Sequence, residues 1–283
     1  MLRNLYAVCL LILVVFVSLC FRRPAYVKNH WVKLYNGKNL DGWDTYLGPG
    51  RDSVTHKRTP APGLNNDILH VFTIADDNGE KVIHISGEQG GAITSKGEYE
   101  NFHLQLMFKW GVRTWGDKRG KKKDSGLLYF CVGPDAADGA NWMRSQEFQI
   151  EEGNTGDYWG VAGAFDEVPA DKKNDSQYVY NPAGQLYTFR EGTPVGRNCI
   201  KRGDNENPTG QWNTLDLYCH GDTAVHVVNG KVLMILYHSQ QWDNGTATPL
   251  TKGKIQIQSE GAEVYYKSIK AEGIDKIPSD ILK

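Results

Sequence analysis

The sequence predicts an all-β protein, a two-sheet antiparallel sandwich or jelly roll. Three observations predict it. After Pro24 the chain is a long series of short apolar or alternating runs, parted by clusters of glycine, asparagine, aspartate and proline. No segment longer than about ten residues keeps helical periodicity. Val228-Asn229-Gly230-Lys231 sets Asn-Gly between two apolar runs, a strong hairpin signal. Many strands with few helices fold as stacked antiparallel sheets.

In chain order, Arg3 and the apolar run Leu5 to Phe21 predict a targeting segment over 1–24. It reads as a signal peptide, with Ser18 and Cys20 before the cut, or as an uncleaved anchor with Arg22-Arg23 behind it. Either version exports the domain to the periplasm, the cell envelope or the medium, and the anchor would associate it with a membrane. Strands are expected at 31–35, 68–72, 81–86, 91–96, 102–110, 125–132 and 146–152. More are expected at 185–190, 212–220, 224–228, 231–237, 254–259 and 264–271. The turn-rich insert from Asp166 to Asn207 reads as loop, of a length that usually shapes a site. No linker divides the domain, taken as 30–272, and 273–283 is a C-terminal tail.

Composition narrows the function. The chain has 283 residues, 40% hydrophobic and 23% charged, which suits one large β domain. A formal net charge of −1 leaves no basic field for nucleic acid. The one basic cluster, Lys118-Arg119-Gly120-Lys121-Lys122-Lys123, reads as a solvated loop. Beyond the targeting segment only Cys131, Cys199 and Cys219 remain, so at most one disulfide can form within the domain. Cys131 and Cys219 read as buried small hydrophobes.

The stretch SQEFQIEEG, Ser145 to Gly153, carries the sharpest signal. On a strand, Glu147, Gln149 and Glu151 share one face, and Phe148 and Ile150 the other. The run from Phe102 to Trp110 likewise sets His103, Gln105, Met107 and Lys109 against an apolar face. His226 opposes Val225 and Val227, and Gln256 and Gln258 oppose Ile255 and Ile257. One sheet is therefore expected to show water a surface of Glu, Gln, His and Lys over an apolar core. Such a surface suits sugars, because carboxylates and amides bond hydroxyls and tryptophans stack on sugar rings. Trp159 is the first candidate platform. Glu147 and Glu151 make a poor glycosidase pair: four residues apart on a strand is roughly 13 Å, against about 5 Å for a retaining pair and 6.5–9.5 Å for an inverting one.

Several stretches together are similar to one family. They are Lys33-Leu34-Tyr35-Asn36-Gly37-Lys38-Asn39-Leu40-Asp41-Gly42-Trp43; Asp124-Ser125-Gly126-Leu127, with Asp where the family has Asn; and Glu147-Phe148-Gln149-Ile150. Gly163-Ala164, Gly210-Gln211-Trp212-Asn213, His226-x-x-Asn229-Gly230 and Gly253 to Val264 follow in order. The pattern resembles the 3-keto-disaccharide hydrolase family, formerly a domain of unknown function, with a concanavalin A-like jelly roll. The resemblance implies cleavage of a glycosidic bond in a sugar oxidised at C3. The ketone acidifies the C2 proton, its removal gives an enolate, the aglycone leaves C1 by elimination, and water adds back. That chemistry needs a base near C2, an acid at the leaving oxygen and a donor or cation for the enolate oxygen.

On this resemblance Glu147 is the expected base or metal ligand, and His226 the acid or a second ligand. Gln149 is expected to bind a hydroxyl, with Gln105 on the polar face and Trp159 as platform, and Lys109 or Arg144 to stabilise the enolate. Asp124 reads as a turn cap. The resemblance leaves a divalent metal open, and no local loop has a calcium pattern like an EF-hand. The expected partner is a small-molecule or oligosaccharide substrate. Two alternatives stand beside the keto-sugar enzyme: a non-catalytic carbohydrate-binding module of the same fold, and a laminarinase-type retaining glycosidase.

Overall fold

The computed structural model describes residues 30–282 apart from 52, 53 and 56. The expected targeting segment lies outside the described residues. None of the helices among those residues is long and apolar enough to cross a membrane.

The strands are β1 (Val32–Lys33), β2 (Trp43–Leu47), β3 (Gly63–Leu64), β4 (Phe72–Asp77), β5 (Glu80–Ile85), β6 (Gly91–Ser95) and β7 (Phe102–Thr114). Then come β8 (Asp124–Val132), β9 (Arg144–Glu151), β10 (Tyr158–Val161), β11 (Ala164–Lys172), β12 (Tyr178–Tyr180), β13 (Gln185–Phe189) and β14 (Asn198–Cys199). The last are β15 (Asn213–His220), β16 (Thr223–Val228), β17 (Lys231–Asp243), β18 (Thr246–Pro249), β19 (Lys254–Ser259) and β20 (Ala262–Gly273). They form an antiparallel sandwich with a jelly-roll architecture. The eight-stranded sheet runs β14-β10-β9-β8-β19-β6-β2-β3. The twelve-stranded sheet runs β12-β11-β17-β16-β15-β7-β20-β5-β4, with β1 on β20, β13 on β11 and β18 on β17.

Alternation along the strands decides the packing. In β7, Phe102, Leu104, Leu106, Phe108 and Trp110 are all buried. They meet Phe148 and Ile150 of β9 and Ile255 and Ile257 of β19 in one continuous core. Fully burying a side chain of this size contributes about 1.5–3 kcal/mol, and the inward rows fix the register of both sheets. Cys131, Cys199 and Cys219 are buried free thiols.

Three expectations are corrected. The strand expected at 68–72 is displaced to Phe72–Asp77, because the Asp67 carboxylate accepts from the backbone N–H of Val71 and Phe72 and holds the preceding residues in a turn. Trp43–Leu47 and Tyr158–Val161 are strands that no alternation announced. The insert expected as loop from Asp166 to Asn207 holds most of β11 and all of β12 to β14. A bulge between Phe165 and Glu167 breaks the alternation of β11, and Pro169 lies beyond the residues paired to β17.

Candidate active site

The site is built on the outer face of the eight-stranded sheet, where the odd residues of β9 meet the same face of its neighbours. Glu147 lies opposite Leu128 of β8 and Trp159 of β10. Gln149 lies opposite Gly126, and Glu151 opposite Asp124. On the other side of β8, Gln256 lies opposite Leu128, so Gln256, Gln258 and Glu260 continue the same face. Above it lies a cleft of about 450 Å³, lined among others by Asp124, Glu147, Gln149, Trp159, Arg197 and Glu260. That size falls within the range of about 300–1,000 Å³ usual for small-molecule sites.

Gly126 makes the centre of the floor. A Cβ there would stand 2.4 Å from both Glu147 Oε1 and Gln258 Oε1, so only glycine lets these two side chains converge over the strand. Its neighbour Ser125 points the other way and locks the sheet, with its hydroxyl donating to the Gln258 carbonyl and bonding the Tyr266 hydroxyl. Several polar atoms at this floor are buried without a protein partner: Gln149 Oε1, both amide atoms of Gln258, and Asp124 Oδ1. Buried polar groups are normally satisfied, so this set is suited to the hydroxyls of a ligand.

Electrostatics follow from the burial. Glu147 is only 6% exposed. Burial, then the nearby Asp124 charge, push its carboxyl up to about 8, against the opposing pull of the Arg197 charge. Burial also raises Asp124 to about 6, although its hydrogen bond from the Lys118 ammonium pulls it down. Glu260 is raised well above the carboxylate range by burial and by the charges of Asp124 and Glu147. Carboxyls pushed up in a cleft are acid–base candidates on physical grounds.

The aromatic walls are Trp159 and Trp142. The Arg197 guanidinium lies 5.1 Å from the Trp159 ring centre and donates to the Gly160 carbonyl at 3.3 Å. Trp142 is held by its indole N–H on the Gly91 carbonyl and by a loop whose backbone N–H groups converge on Asp138 Oδ1.

Of the residues expected from the sequence, the cleft gathers Glu147, Gln149 and Trp159. The others lie elsewhere. His226 belongs to β16 of the other sheet and is fully buried between the sheets. Its ring bonds the Tyr129 hydroxyl and the Gly156 carbonyl, and burial lowers it to about 3. The ring is enclosed between the sheets and does not line the cleft. Every residue of β16 from Ala224 to Val228 is buried, Val225 and Val227 included, so neither side of the strand shows His226 to water. Lys109 and Gln105 lie on the outer face of the twelve-stranded sheet. The Lys109 ammonium bonds Asp77 at 2.7 Å, and the Gln105 amide bonds Asp216 at 2.7 Å. The polar rows of β7 and β9 thus face away from each other, not across one surface. Arg144 has the opposite parity to Glu147 and donates its Nε–H to the Ala162 carbonyl, bracing the wall behind the cleft.

Sequence reasoning missed Asp124, Lys118, Arg197, Gln258 and Glu260 as cleft residues. Asp124 and Gln258 lay within quoted motifs, and the parity of Gln256 and Gln258 extends to Glu260. Lys118 and Arg197 come from loops, where no periodicity points at them. The basic loop is not wholly solvated: Lys118 enters the cleft, and Lys123 bonds Glu152 at 2.8 Å.

Among the described residues no group of three or more histidine, cysteine, aspartate or glutamate side chains is arranged to hold a metal ion. Asp124 and Glu151 instead share the Lys118 ammonium.

The family model for the 3-keto-alpha-glucoside-1,2-lyase-like domain matches residues 30–272. Among solved structures, the chain is similar to a Parabacteroides distasonis ATCC 8503 protein provisionally named a glycosyl hydrolase, at 20% identity and a TM-score of 0.47, covering 87% of this chain and 100% of that one. A second such structure from the same organism has 18% identity and a TM-score of 0.46, covering 87% and 94%. A carbohydrate-binding module from Bacillus subtilis has 11% identity and a TM-score of 0.40, covering 71% and 92%. No curated protein matches the chain. The family rests on the match across nearly the whole described domain, and it agrees with the order of motifs read from the sequence. This chain belongs to the 3-keto-alpha-glucoside-1,2-lyase-like domain family.

Proposed function

We propose that this chain is an exported carbohydrate-active enzyme that cleaves 3-keto-glycosides by removing the C2 proton and eliminating the aglycone from C1. The single observation that carries the reading is the buried Glu147 carboxyl at the cleft floor, converging with Gln258 over Gly126. Export rests on the apolar run Leu5 to Phe21.

Glu147 as carboxylate takes the proton from C2. A carboxyl raised to about 8 is a stronger base toward carbon than an ordinary one. The C–H electron pair forms the C2–C3 double bond, and the carbonyl pair moves to O3. When the C3 carbonyl reforms, the C1–C2 double bond forms and the C1–O bond breaks toward the aglycone. Glu260, whose carboxyl burial and the neighbouring carboxylates push well above its ordinary value, supplies the proton to the leaving oxygen. Water then adds across C1 and C2. Gln149 and Gln258 bind sugar hydroxyls with their unpartnered amide atoms, and Trp159 stacks on a ring face.

The test is incubation of the protein with a 3-keto-glucoside and with its unoxidised parent. Cleavage of the keto sugar alone, slowed by deuterium at C2 where proton removal limits the rate, is expected. Equal cleavage of both sugars would overturn the reading in favour of a paired-carboxylate glycosidase, and binding of both without cleavage would leave a binding module.

A further inference from the structure

The reaction above leaves one requirement unassigned, a positive partner for the oxygen on which charge develops. The two lysine and arginine candidates from the sequence, Lys109 and Arg144, do not line the cleft. Lys118 does. It ends the 3-10 turn Gly116–Lys118, which is tied to the sheet by the Trp115 N–H on the Gly261 carbonyl and the Trp115 indole N–H on the Ser86 carbonyl. Gly261 lets the lysine stem pass, since a Cβ there would stand 2.9 Å from Lys118 Cγ. The ammonium bonds Asp124 Oδ2 and stands 3.7 Å from Glu151 Oε1. An ammonium has three N–H donors, so one close acceptor and one distant one leave it a donor to give. The lysine side chain is 28% exposed, so its ammonium is partly withdrawn from water at the cleft.

We propose that Lys118 is a catalytic residue that donates a hydrogen bond to the O3 enolate oxygen while Glu147 takes the C2 proton; this deepens the keto-sugar reading and rests on it. The spacing on β8 supports it. The ammonium is bonded at Asp124, and the Glu147 carboxylate overhangs Gly126, two residues along, a strand rise of roughly 6.5 Å. A base about 3 Å from C2 and a donor about 2.8 Å from O3 stand apart by a similar distance across a sugar. The other cation of the cleft, Arg197, donates to the Gly160 carbonyl and lies by the Trp159 ring, on the β10 side of Glu147 rather than the β8 side. Desolvation pulls the Lys118 ammonium down, but its hydrogen bond with Asp124 and the charges of Asp124, Glu260 and Glu151 outweigh it, so the group stays charged. A fixed cation of this kind acts by electrostatic preorganisation, because it needs no rearrangement as the charge develops.

The experiment separates enolate formation from elimination. The probe is 3-keto-1,5-anhydroglucitol, which has the ketone but no aglycone at C1, where the ring oxygen is the one remaining oxygen substituent. The full chain, kept in detergent, is incubated with it in D2O, and loss of the C2 proton signal is followed by NMR. Wild type is expected to exchange C2–H. Lys118→Met is expected to exchange about 10²–10³-fold more slowly, as for loss of one oxyanion donor, with the dissociation constant of the probe changed less than about threefold. Lys118→Arg is expected to lie between. Exchange by Lys118→Met within threefold of wild type would overturn the role of Lys118 and leave the keto-sugar reading intact. Absence of exchange and of elimination in wild type would overturn the keto-sugar reading itself. Where Lys118→Met loses its cooperative melt, Lys118→Met with Asp124→Asn removes the stranded buried carboxyl, and the same fold-changes are read against Asp124→Asn alone.

Discussion

The imidazole of His226 stacks on the ring of Phe148 at 4.1 Å, with the planes 10° apart. Phe148 is the neighbour of Glu147 on β9, so the histidine lies directly behind the strand that carries the cleft carboxyl. His226 also bonds the Gly156 carbonyl, and the Gly156 N–H returns to the Gln149 carbonyl. One buried ring therefore braces both the β9 strand and the turn that leads from it into β10. These contacts brace the floor from behind, and the ring does not line the cleft.

His226→Phe should accordingly leave the activity of the folded protein within about tenfold of wild type while lowering stability. The cost is the unpaired Tyr129 hydroxyl and Gly156 carbonyl, about 1–3 kcal/mol each. Thermal melts and kcat/KM measured on the same preparation check this. The pH dependence has a definite sign. The folded pKa of about 3 lies below the unfolded value, so the unfolded state binds the proton first. His226 therefore costs wild type stability as pH falls from about 6.5 toward 3, and the phenylalanine variant should lose less over that interval.

Glu147→Gln should keep the fold and lose about 10²–10⁴-fold in turnover of a 3-keto-glycoside, as for loss of a general base. It should also be more stable than wild type at high pH. The folded pKa of about 8 lies above the unfolded one, so native Glu147 keeps its proton while the unfolded chain ionises. Stability is fully present below about pH 4.5 and falls as pH rises to 8, a loss on the order of a few kcal/mol. The melting difference between variant and wild type should therefore open between pH 5 and pH 8. In wild type, kcat/KM should rise with pH toward a plateau above about 8.

These residues also show how far the sequence reaches. The alternation in SQEFQIEEG correctly separated Glu147 and Gln149 from Phe148 and Ile150, because period-two geometry is local. The same alternation in Phe102 to Trp110 correctly separated Gln105 and Lys109 from the core. What alternation cannot tell is which of two sheets a strand joins, and a sandwich has two outward faces. Lys109 and Glu147 share the same alternation, yet the whole core lies between their faces. His226 failed differently: a polar residue opposite valines reads as outward, but Tyr129 and Gly156 satisfy its ring in the core. Lys118 and Arg197 reach the cleft from loops, where the path is set by tertiary anchors such as Trp115 on Gly261.

Trp159→Ala should raise KM about 2–10-fold with little change in kcat. The indole lies opposite Glu147 across the β9–β10 pair and is stiffened by Arg197. Stacking of this kind contributes about 0.5–1.5 kcal/mol, which is binding energy rather than barrier lowering. Steady-state kinetics on a 3-keto-glycoside check it, and an equal fall in kcat would assign the ring a part in the chemical step.

Gly126→Ala tests the convergence on which the site depends. The new methyl group would meet Glu147 Oε1 and Gln258 Oε1 at 2.4 Å, well inside contact distance. Both clashing atoms are the far ends of flexible side chains, and the glycine does not sit in the left-handed region, so the backbone can accept alanine. The fold should persist with a small change in melting temperature. The two side chains must swing away from the centre of the floor, and displacement of a base by about 1 Å can cost about 10²-fold in rate. The variant is therefore expected to melt like wild type, to retain C2–H exchange only at a rate reduced about tenfold or more, and to bind the sugar weakly through the displaced Gln258. A folded Gly126→Ala protein with wild-type turnover would move the reacting centre away from Glu147 and toward another carboxyl of the cleft.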